Sequence, residues 1–126
     1  MMSFYNLKKE ERLKLVERIY KDIFLSLQRN NLSVFRQFFS DEDTYIRKTA
    51  YTATGRIFNE NKNLQKKIVS TLKKLLEEED FKIRQTAINA AGEIGIRNFE
   101  IVEDFFRCYF AFFFYNSLSK PNPIKV

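Results

Sequence analysis

The sequence lacks histidine and tryptophan, and its 126 residues include only one cysteine, three glycines and two prolines. Without histidine, the usual general base near neutral pH is missing, and so are histidine-containing zinc or iron sites. The single cysteine, Cys108, excludes an intrachain disulfide and a metal site made of several thiolates. So few glycines and prolines argue against a loop-rich β protein or a glycine-rich phosphate loop. We therefore expect no enzyme activity, no metal and no cofactor.

The sequence also lacks long apolar segments. Its longest uncharged apolar stretch, from Cys108 to Tyr115, has eight residues, whereas a helix needs about 20 to span a bilayer. The start of the chain carries no basic flank and no long apolar run, so it does not resemble a signal peptide. We expect no membrane association and a cytoplasmic location.

The remaining composition is typical of a packed helical domain. Apolar residues make up 44% of the chain, charged residues 30% and aromatic residues 16%, which favours a single all-α domain over 1–126. The net charge of +6 is spread along the chain, without any run of five or more lysines and arginines. Dispersed basicity of this kind is more typical of solubility than of nucleic-acid binding.

The chain repeats itself at an offset of 37 residues. When 41–58 is aligned with 78–95, nine of the eighteen positions are identical. Two of them are a Glu-Asp pair in the turn, and the other seven follow in the order Ile-Arg-x-Thr-Ala-x-x-Ala-x-Gly-x-Ile. Upstream of both segments, apolar residues keep helical spacing at the same offset. Each unit is therefore predicted to be a helix, a short acidic turn that caps the next helix, and a second helix. The two units span 32–58 and 62–95.

Each predicted second helix carries a narrow stripe of small and branched apolar residues, which allows close approach of a neighbouring helix. The stripe consists of Ile46, Ala50, Ala53 and Ile57 in the first unit and of Ile83, Ala87, Ala90 and Ile94 in the second. A glycine inside a helix costs about 1 kcal/mol relative to alanine. We therefore expect Gly55 and Gly92 to contact a neighbouring helix with their backbone.

Outside the two units the repeat pattern weakens. Residues 6–29 carry an amphipathic stripe and are predicted to form a capping helix or a diverged repeat. The first helix of a third unit is predicted over 98–114, but Pro121 and Pro123 stand where its second helix would follow. We therefore expect a half repeat over 98–114 and an irregular tail over 115–126.

In both units an acidic residue of the turn stands six positions before an arginine that follows a hydrophobic residue: Asp41 before Arg47, and Glu78 before Arg84. This pattern resembles the HEAT-repeat superfamily. The resemblance implies a short right-handed α-α superhelix, a HEAT-like solenoid of antiparallel helix pairs. The period of 37 residues favours the shorter HEAT-like subfamilies. The resemblance also implies a structural ladder of Asp41, Arg47, Glu78 and Arg84 between units, in which Arg47 reaches Glu78 or Asp80, or Arg84 reaches Asp41 or Asp43.

In HEAT folds the second helices line the concave side of the superhelix. The resemblance therefore implies a binding ridge on the face of each second helix that points away from its stripe. The ridge would consist of Tyr45, Lys48, Thr52 and Arg56 in the first unit and of Lys82, Gln85, Asn89 and Glu93 in the second. The competing interpretation of each of these residues is a solvated helix face.

Two functions compete on this sequence. The first is a non-catalytic scaffold or adaptor that binds another protein. The alternative is nucleic-acid binding, through a relation to the HEAT-like DNA alkylation repair glycosylases. The side chains that would contact nucleic acid are Tyr45, Lys48, Tyr51, Arg56, Lys62, Lys66 and Lys67. Those enzymes use tryptophan in their cleft, which this chain lacks. HEAT-like bilin lyases share only the repeat with this chain.

Aromatic residues are concentrated near the end of the predicted half repeat. They are too many for one buried stripe, so some must be exposed or paired. One interpretation is a homodimer through Phe105, Phe106, Tyr109, Phe112 and Phe113. The others are a site for a partner and a chain that is a truncated piece of a longer repeat array.

Overall fold

The computed structural model describes residues 3–119, and it describes side chains as far as Arg107. The regular structure within this range is helical, with no β-strand. Its α-helices are α1 (Lys9–Gln28), α2 (Ser33–Phe39), α3 (Thr44–Glu60), α4 (Gln65–Leu75) and α5 (Phe81–Ser119). Short 3₁₀ turns at Phe4–Asn6 and Lys62–Leu64 precede α1 and α4. The all-α class predicted from the sequence is confirmed.

The acidic turns inside the two units begin α3 and α5 in the same way. Asp43 accepts a hydrogen bond from the backbone N–H of Tyr45 at 2.9 Å, and Asp80 accepts one from the N–H of Lys82 at 2.8 Å. These carboxylates bind N–H groups that have no partner inside the helix, and they oppose the positive end of the helix dipole. The predicted capping by the acidic turns is confirmed.

The predicted stripes on α3 and α5 lie in the hydrophobic core. The residues of both stripes are at most 6% exposed: Ile46, Ala50, Ala53, Ile57, Ile83, Ala87, Ala90 and Ile94. Helix α3 is central, because it packs against α1, α2 and α5, whereas α4 packs mainly against α5. The rings of Phe35 and Phe39 on α2 and of Phe58 on α3 itself are fully buried. The helical period of the sequence therefore predicted the buried faces of these helices.

The two glycines at equivalent positions of the repeat have different surroundings. A Cβ atom at Gly55 would stand 2.9 Å from the Cβ of Glu93 on α5, which is too close for two packed carbon atoms. Helix α3 therefore needs glycine here in order to pack against α5. At Gly92 no other described segment of the chain lies within 4 Å of the place where a Cβ would stand. The expected backbone contact is confirmed at Gly55 and wrong at Gly92, because no described part of the chain covers that side of α5.

Two asparagines, 37 residues apart, mark the passage from one unit to the next. Asn61 ends α3 with φ −137° and ψ 90°. Asn98 lies within α5, where its φ of −136° and ψ of 52° break the helix into two segments. Both asparagines thus leave the helical region at the same point of the repeat, before the first helix of the following unit.

The second segment of α5 continues to Ser119. The tail predicted to be irregular over 115–126 is therefore helical over 115–119, and the prediction is wrong there; 120–126 lie outside the described residues. Proline restricts its own backbone and that of the residue directly before it. Pro121 therefore leaves the chain free to remain helical as far as Ser119.

Candidate functional site

A groove with a volume of about 360 Å³ lies between the N-terminal turn, α1 and α3. We call it the α1–α3 groove. Side chains one turn apart on a helix share a face, and each helix contributes such a set. The groove is lined by residues that include Phe4, Tyr5, Val16, Tyr20, Tyr45, Lys48, Thr52 and Arg56. It therefore brings together the four ridge residues predicted in the first unit: Tyr45, Lys48, Thr52 and Arg56.

Aromatic rings of the N-terminal turn close one end of the groove. The ring centroids of Tyr5 and Tyr45 lie 4.1 Å apart in an edge-to-face arrangement, and the ring of Phe4 stacks on Tyr45 at 6.3 Å. The backbone N–H of Phe4 also donates a hydrogen bond to a carboxylate oxygen of Asp43 at 2.8 Å. The turn is thus attached to the start of α3 through both rings and backbone.

The phenol of Tyr45 is held in its neutral form. A hydrogen bond with Tyr5 raises the pKa of Tyr45 above its ordinary value, and partial desolvation and the charge of Asp43 act in the same direction. The hydroxyl of Tyr45 can donate or accept a hydrogen bond at this end of the groove.

Arg56 lies three turns along α3 from Tyr45, and its charge is already compensated. Its guanidinium carbon lies 4.5 Å from the ring centroid of Tyr20. Its Nε lies 3.3 Å from Glu60, and a terminal nitrogen lies 3.8 Å from Glu17. The hydroxyl of Tyr20 donates a hydrogen bond to Glu60 at 2.8 Å. Burial and this hydrogen bond raise the pKa of Tyr20. Tyr20 and Arg56 thus form a network with Glu17 and Glu60.

Lys48 lies between these two ends and differs from Arg56 in its surroundings. Its side chain is exposed, and within the described part of the chain no carboxylate lies at ion-pair distance from it. The α1–α3 groove therefore combines aromatic surface, hydroxyl groups and one uncompensated ammonium group.

The four ridge residues predicted in the second unit do not line this groove. The ammonium group of Lys82 lies 3.4 Å from Glu42 and 3.9 Å from Asp80. Glu93 packs with its Cβ against Gly55. Gln85 and Asn89 are exposed on α5. The equivalent positions of the two units therefore have different neighbours, although the sequence pattern that predicted them is the same.

The sequence did not assign the other half of the groove to a site. Val16 and Tyr20 were part of the amphipathic stripe that predicted α1, and their i, i+4 spacing on one face was the available signal. Phe4 and Tyr5 lie in a 3₁₀ turn, which has no periodic pattern. Their contact with α3 could not be read from sequence spacing.

The two arginines of the predicted ladder close their own turns. Arg47 donates a hydrogen bond to the backbone carbonyl of Asp41. Arg84 donates to the carbonyls of Glu78 and Glu79, each at 2.7 Å. Side chains on a helix lean towards its N-terminus, so each guanidinium reaches the free carbonyls that follow the preceding helix. These bonds lie within one unit, which differs from the expected ladder between units.

Other residues join the two units. Nε of Arg36 on α2 lies 3.0 Å from a carboxylate oxygen of Glu78. The hydroxyl of Thr86 on α5 donates a hydrogen bond to the carbonyl of Phe39 at 3.2 Å, and the Lys82 pair with Glu42 adds a third link. These polar links join α2 and its turn to the second acidic turn and α5, and they add to the packing of α3 against α5.

The residues predicted for a homodimer are only partly described. Phe105 is 1% exposed and belongs to the core, so it is not available to a second copy. Phe106 is partly buried and packs against the same core. The side chains of Tyr109, Phe112 and Phe113 lie outside the described residues. The prediction is therefore wrong for Phe105, which the fold uses internally.

No helix in the described part of the chain is long and apolar enough to cross a membrane. No group of three or more histidine, cysteine, aspartate or glutamate residues within it is arranged to hold a metal ion.

The chain was compared with protein families, curated proteins and solved structures. The family model for Cnd1, described as non-SMC mitotic condensation complex subunit 1, matches residues 24–111. No curated protein matches the chain, and no solved structure matches it. The matched region runs from the end of α1 through both units into the second segment of α5. It supports a HEAT-like helical-repeat family and gives no support to a relation with DNA alkylation repair.

Proposed function

This chain belongs to the Cnd1 family, and on that premise we propose that it acts as a non-catalytic helical-repeat scaffold that binds another protein. The family description names a subunit of a complex, which supports assembly with other proteins. The repeat at 37 residues, with α3 packed against α5, supports a short right-handed α-α superhelix. Repeats of this kind present extended binding surfaces.

The observation that carries the proposal is the convergence of Tyr45, Lys48, Thr52 and Arg56 in the α1–α3 groove. Aromatic rings provide a large apolar contact area at low cost in side-chain entropy. Lys48 provides a charge that no described carboxylate neutralises. The groove is therefore suited to an extended protein segment with an apolar side chain beside an acidic group.

Site-specific photo-crosslinking in cells tests this proposal. A photoreactive amino acid at Thr52 is expected to give a discrete protein adduct, because this position lines the groove. The control is the same amino acid at Lys14, which is exposed on α1 outside the groove. Lys48→Glu is expected to weaken the Thr52 adduct. Equal labelling at both positions, or none at Thr52, would contradict the proposal.

Nucleic-acid binding is the alternative function. Arg56, one of the cations expected to contact phosphates, is already paired with Glu17 and Glu60, which weakens this alternative. A titration with labelled duplex DNA at several salt concentrations decides between the two. Binding tighter than about 100 μM whose affinity falls steeply with salt would favour the nucleic-acid function.

The cytoplasmic location stays a prediction. The family description names a mitotic complex, so a location followed through the cell cycle is more informative than a single image. Microscopy of the tagged chain in dividing cells provides that check.

A further inference from the structure

A second groove lies along α4. It has a volume of about 650 Å³ and runs between α4 and the beginning of the second segment of α5. We call it the α4 groove. Its lining includes Lys66, Val69, Lys73, Lys74, Glu77 and Ile101. None of these residues belongs to the α1–α3 groove.

The α4 groove carries an excess of positive charge. It has three ammonium groups against the single carboxylate of Glu77. In the part of the chain that the structure describes, Lys66, Lys73 and Lys74 take part in no ion pair. Lys66 and Lys73 are seven residues apart on α4, which places them on one face and about 10 Å apart along the axis. The groove therefore matches a partner whose carboxylates are also two helical turns apart.

The equivalent positions one repeat earlier show which chemistry these positions take when they are covered. Arg36 stands one repeat before Lys73, and it pairs with the carboxylate of Glu78 at 3.0 Å. Leu64 stands one repeat before Ile101; Leu64 is 5% exposed, whereas Ile101 is 42% exposed. The covered positions thus have a carboxylate on the cation and apolar contact on the aliphatic side chain. Among the described residues, Lys73 has no carboxylate partner, and Ile101 is covered less completely than Leu64.

We propose that the α4 groove binds an acidic amphipathic helix of a partner protein. Carboxylates of that helix pair with Lys66, Lys73 and Lys74, and its aliphatic side chains cover Val69 and Ile101. This site is separate from the α1–α3 groove and shares with the proposed function only the premise that the partner is a protein.

A helical peptide fits this groove better than a nucleic acid. Single-stranded nucleic acids bind by stacking bases on aromatic rings, and none of the described residues that line the groove is aromatic. Its apolar surface is aliphatic and comes from Val69 and Ile101. Aliphatic side chains offer contact to the apolar face of a helix but nothing specific to a phosphate backbone.

Fluorescence anisotropy of the full chain with designed probes tests the proposal. The first probe is a labelled 18-residue helical peptide, roughly five turns, with glutamate at i and i+7 on one face and leucine beside it. The second is the same peptide with lysine in place of glutamate. We expect the glutamate peptide alone to bind, with an affinity that falls as salt is raised. Equal affinity for both peptides would overturn the proposal.

The protein variants carry a matched control. Lys66→Glu with Lys73→Glu is expected to weaken binding of the glutamate peptide by about tenfold or more. Lys14→Glu with Lys21→Glu makes the same change of charge at the same spacing on α1 and is expected to leave binding nearly unchanged. Ile101→Ser, with the charges intact, is expected to weaken binding severalfold. Circular dichroism confirms that each variant is folded.

Two further results would overturn the inference. One is equal weakening by both charge-reversed pairs, which would show that the net charge of the chain controls binding. The other is tighter binding of labelled single-stranded or duplex DNA, lost in the Lys66 and Lys73 variant, which would assign the groove to nucleic acid. Neither result depends on crosslinking at Thr52, so the two proposals can fail separately.

Discussion

The first unit, α2 with α3, is covered by the second, whereas part of the equivalent face of the second unit has no neighbour among the described residues. Gly55 packs against Glu93, but no other described segment lies within 4 Å of a Cβ at Gly92. Arg36 pairs with Glu78 at 3.0 Å, and Lys73 has no such partner among the described residues. The two units therefore share their sequence pattern and differ in what lies next to them.

The features that recur are those that a unit makes alone. Both acidic turns cap the following helix through an aspartate, and both arginines bind carbonyls of their own turn. Both stripes are buried to a similar degree. A repeat therefore specifies local structure, whereas contacts across a boundary between units also require a neighbour.

The largest expected effects belong to the shared core. Ile57 and Ile94 are equivalent, and both are 0% exposed. Replacing either by alanine removes buried methyl groups and leaves a cavity, so each change is expected to lower the free energy of unfolding by about 2–5 kcal/mol. Urea unfolding followed by circular dichroism measures this. If a variant is too unstable, replacement by valine gives the same comparison at about 0.5–1.5 kcal/mol. A cost at only one position would break the equivalence of the stripes.

The two glycines are expected to respond with opposite signs. Gly55→Ala forces a carbon to within 2.9 Å of the Cβ of Glu93, and such overpacking costs about 1–3 kcal/mol. Gly92→Ala meets nothing within 4 Å, so the higher helix propensity of alanine is expected to stabilise the chain by up to about 1 kcal/mol. Thermal and urea unfolding of both variants provide the measurement. Destabilisation by Gly92→Ala would mean that this side of α5 is covered in solution.

Loss of the capping carboxylates is expected to have an intermediate effect. Asp43→Ala and Asp80→Ala each leave an N–H group without its partner, at a cost of about 0.5–2 kcal/mol. Asp43 also accepts a hydrogen bond from Phe4 at 2.8 Å, so its replacement is expected to cost more than that of Asp80. Asparagine at either position retains an acceptor and serves as the control. A larger cost at Asp80 would contradict the role assigned to the N-terminal turn.

The smallest expected difference is that between Arg36 and Lys73. Arg36→Ala removes an ion pair near the surface and is expected to lower the free energy of unfolding by about 0.2–1 kcal/mol. Lys73→Ala removes a cation without a described partner, so a smaller change is expected. The comparison of the two variants in low salt and in about 1 M salt tests this, because salt screens exposed pairs. A cost for Arg36→Ala that persists in high salt would show that its packing, rather than its charge, is responsible.

The sequence predicted the parts of this fold that depend on short spacing. The stripe from Ile46 to Ile57 and the aspartate caps follow from helical periodicity and from the chemistry of helix ends. The partner of Arg47 was harder to predict from the sequence, because a guanidinium can reach acids of the next unit or carbonyls of its own turn. The carbonyls at the end of the preceding helix are closer along the chain and need a donor in every unit.

The sequence predicted only the α3 side of the α1–α3 groove. Tyr45, Lys48, Thr52 and Arg56 follow from the face of α3 that lies opposite its stripe. Their partners on α1 and in the N-terminal turn are about 40 residues away in sequence, and no repeat relates them to α3. The open side of Gly92 was unpredictable for a similar reason, since a glycine is the same letter whether or not a helix packs on it.

The backbone dihedral angles of Asn61 and Asn98 set the direction of the helices that follow them. The first has ψ of 90° and the second ψ of 52°, although both occupy the same position of the repeat. Everything that follows such a residue rotates as its dihedral angles change, so a rotation of about 5° moves the far end of a helix about 25 Å long by about 2 Å. The curvature of a structure built from these units would be set by the residues between the helices, and substitutions there could reshape its binding surfaces without touching them.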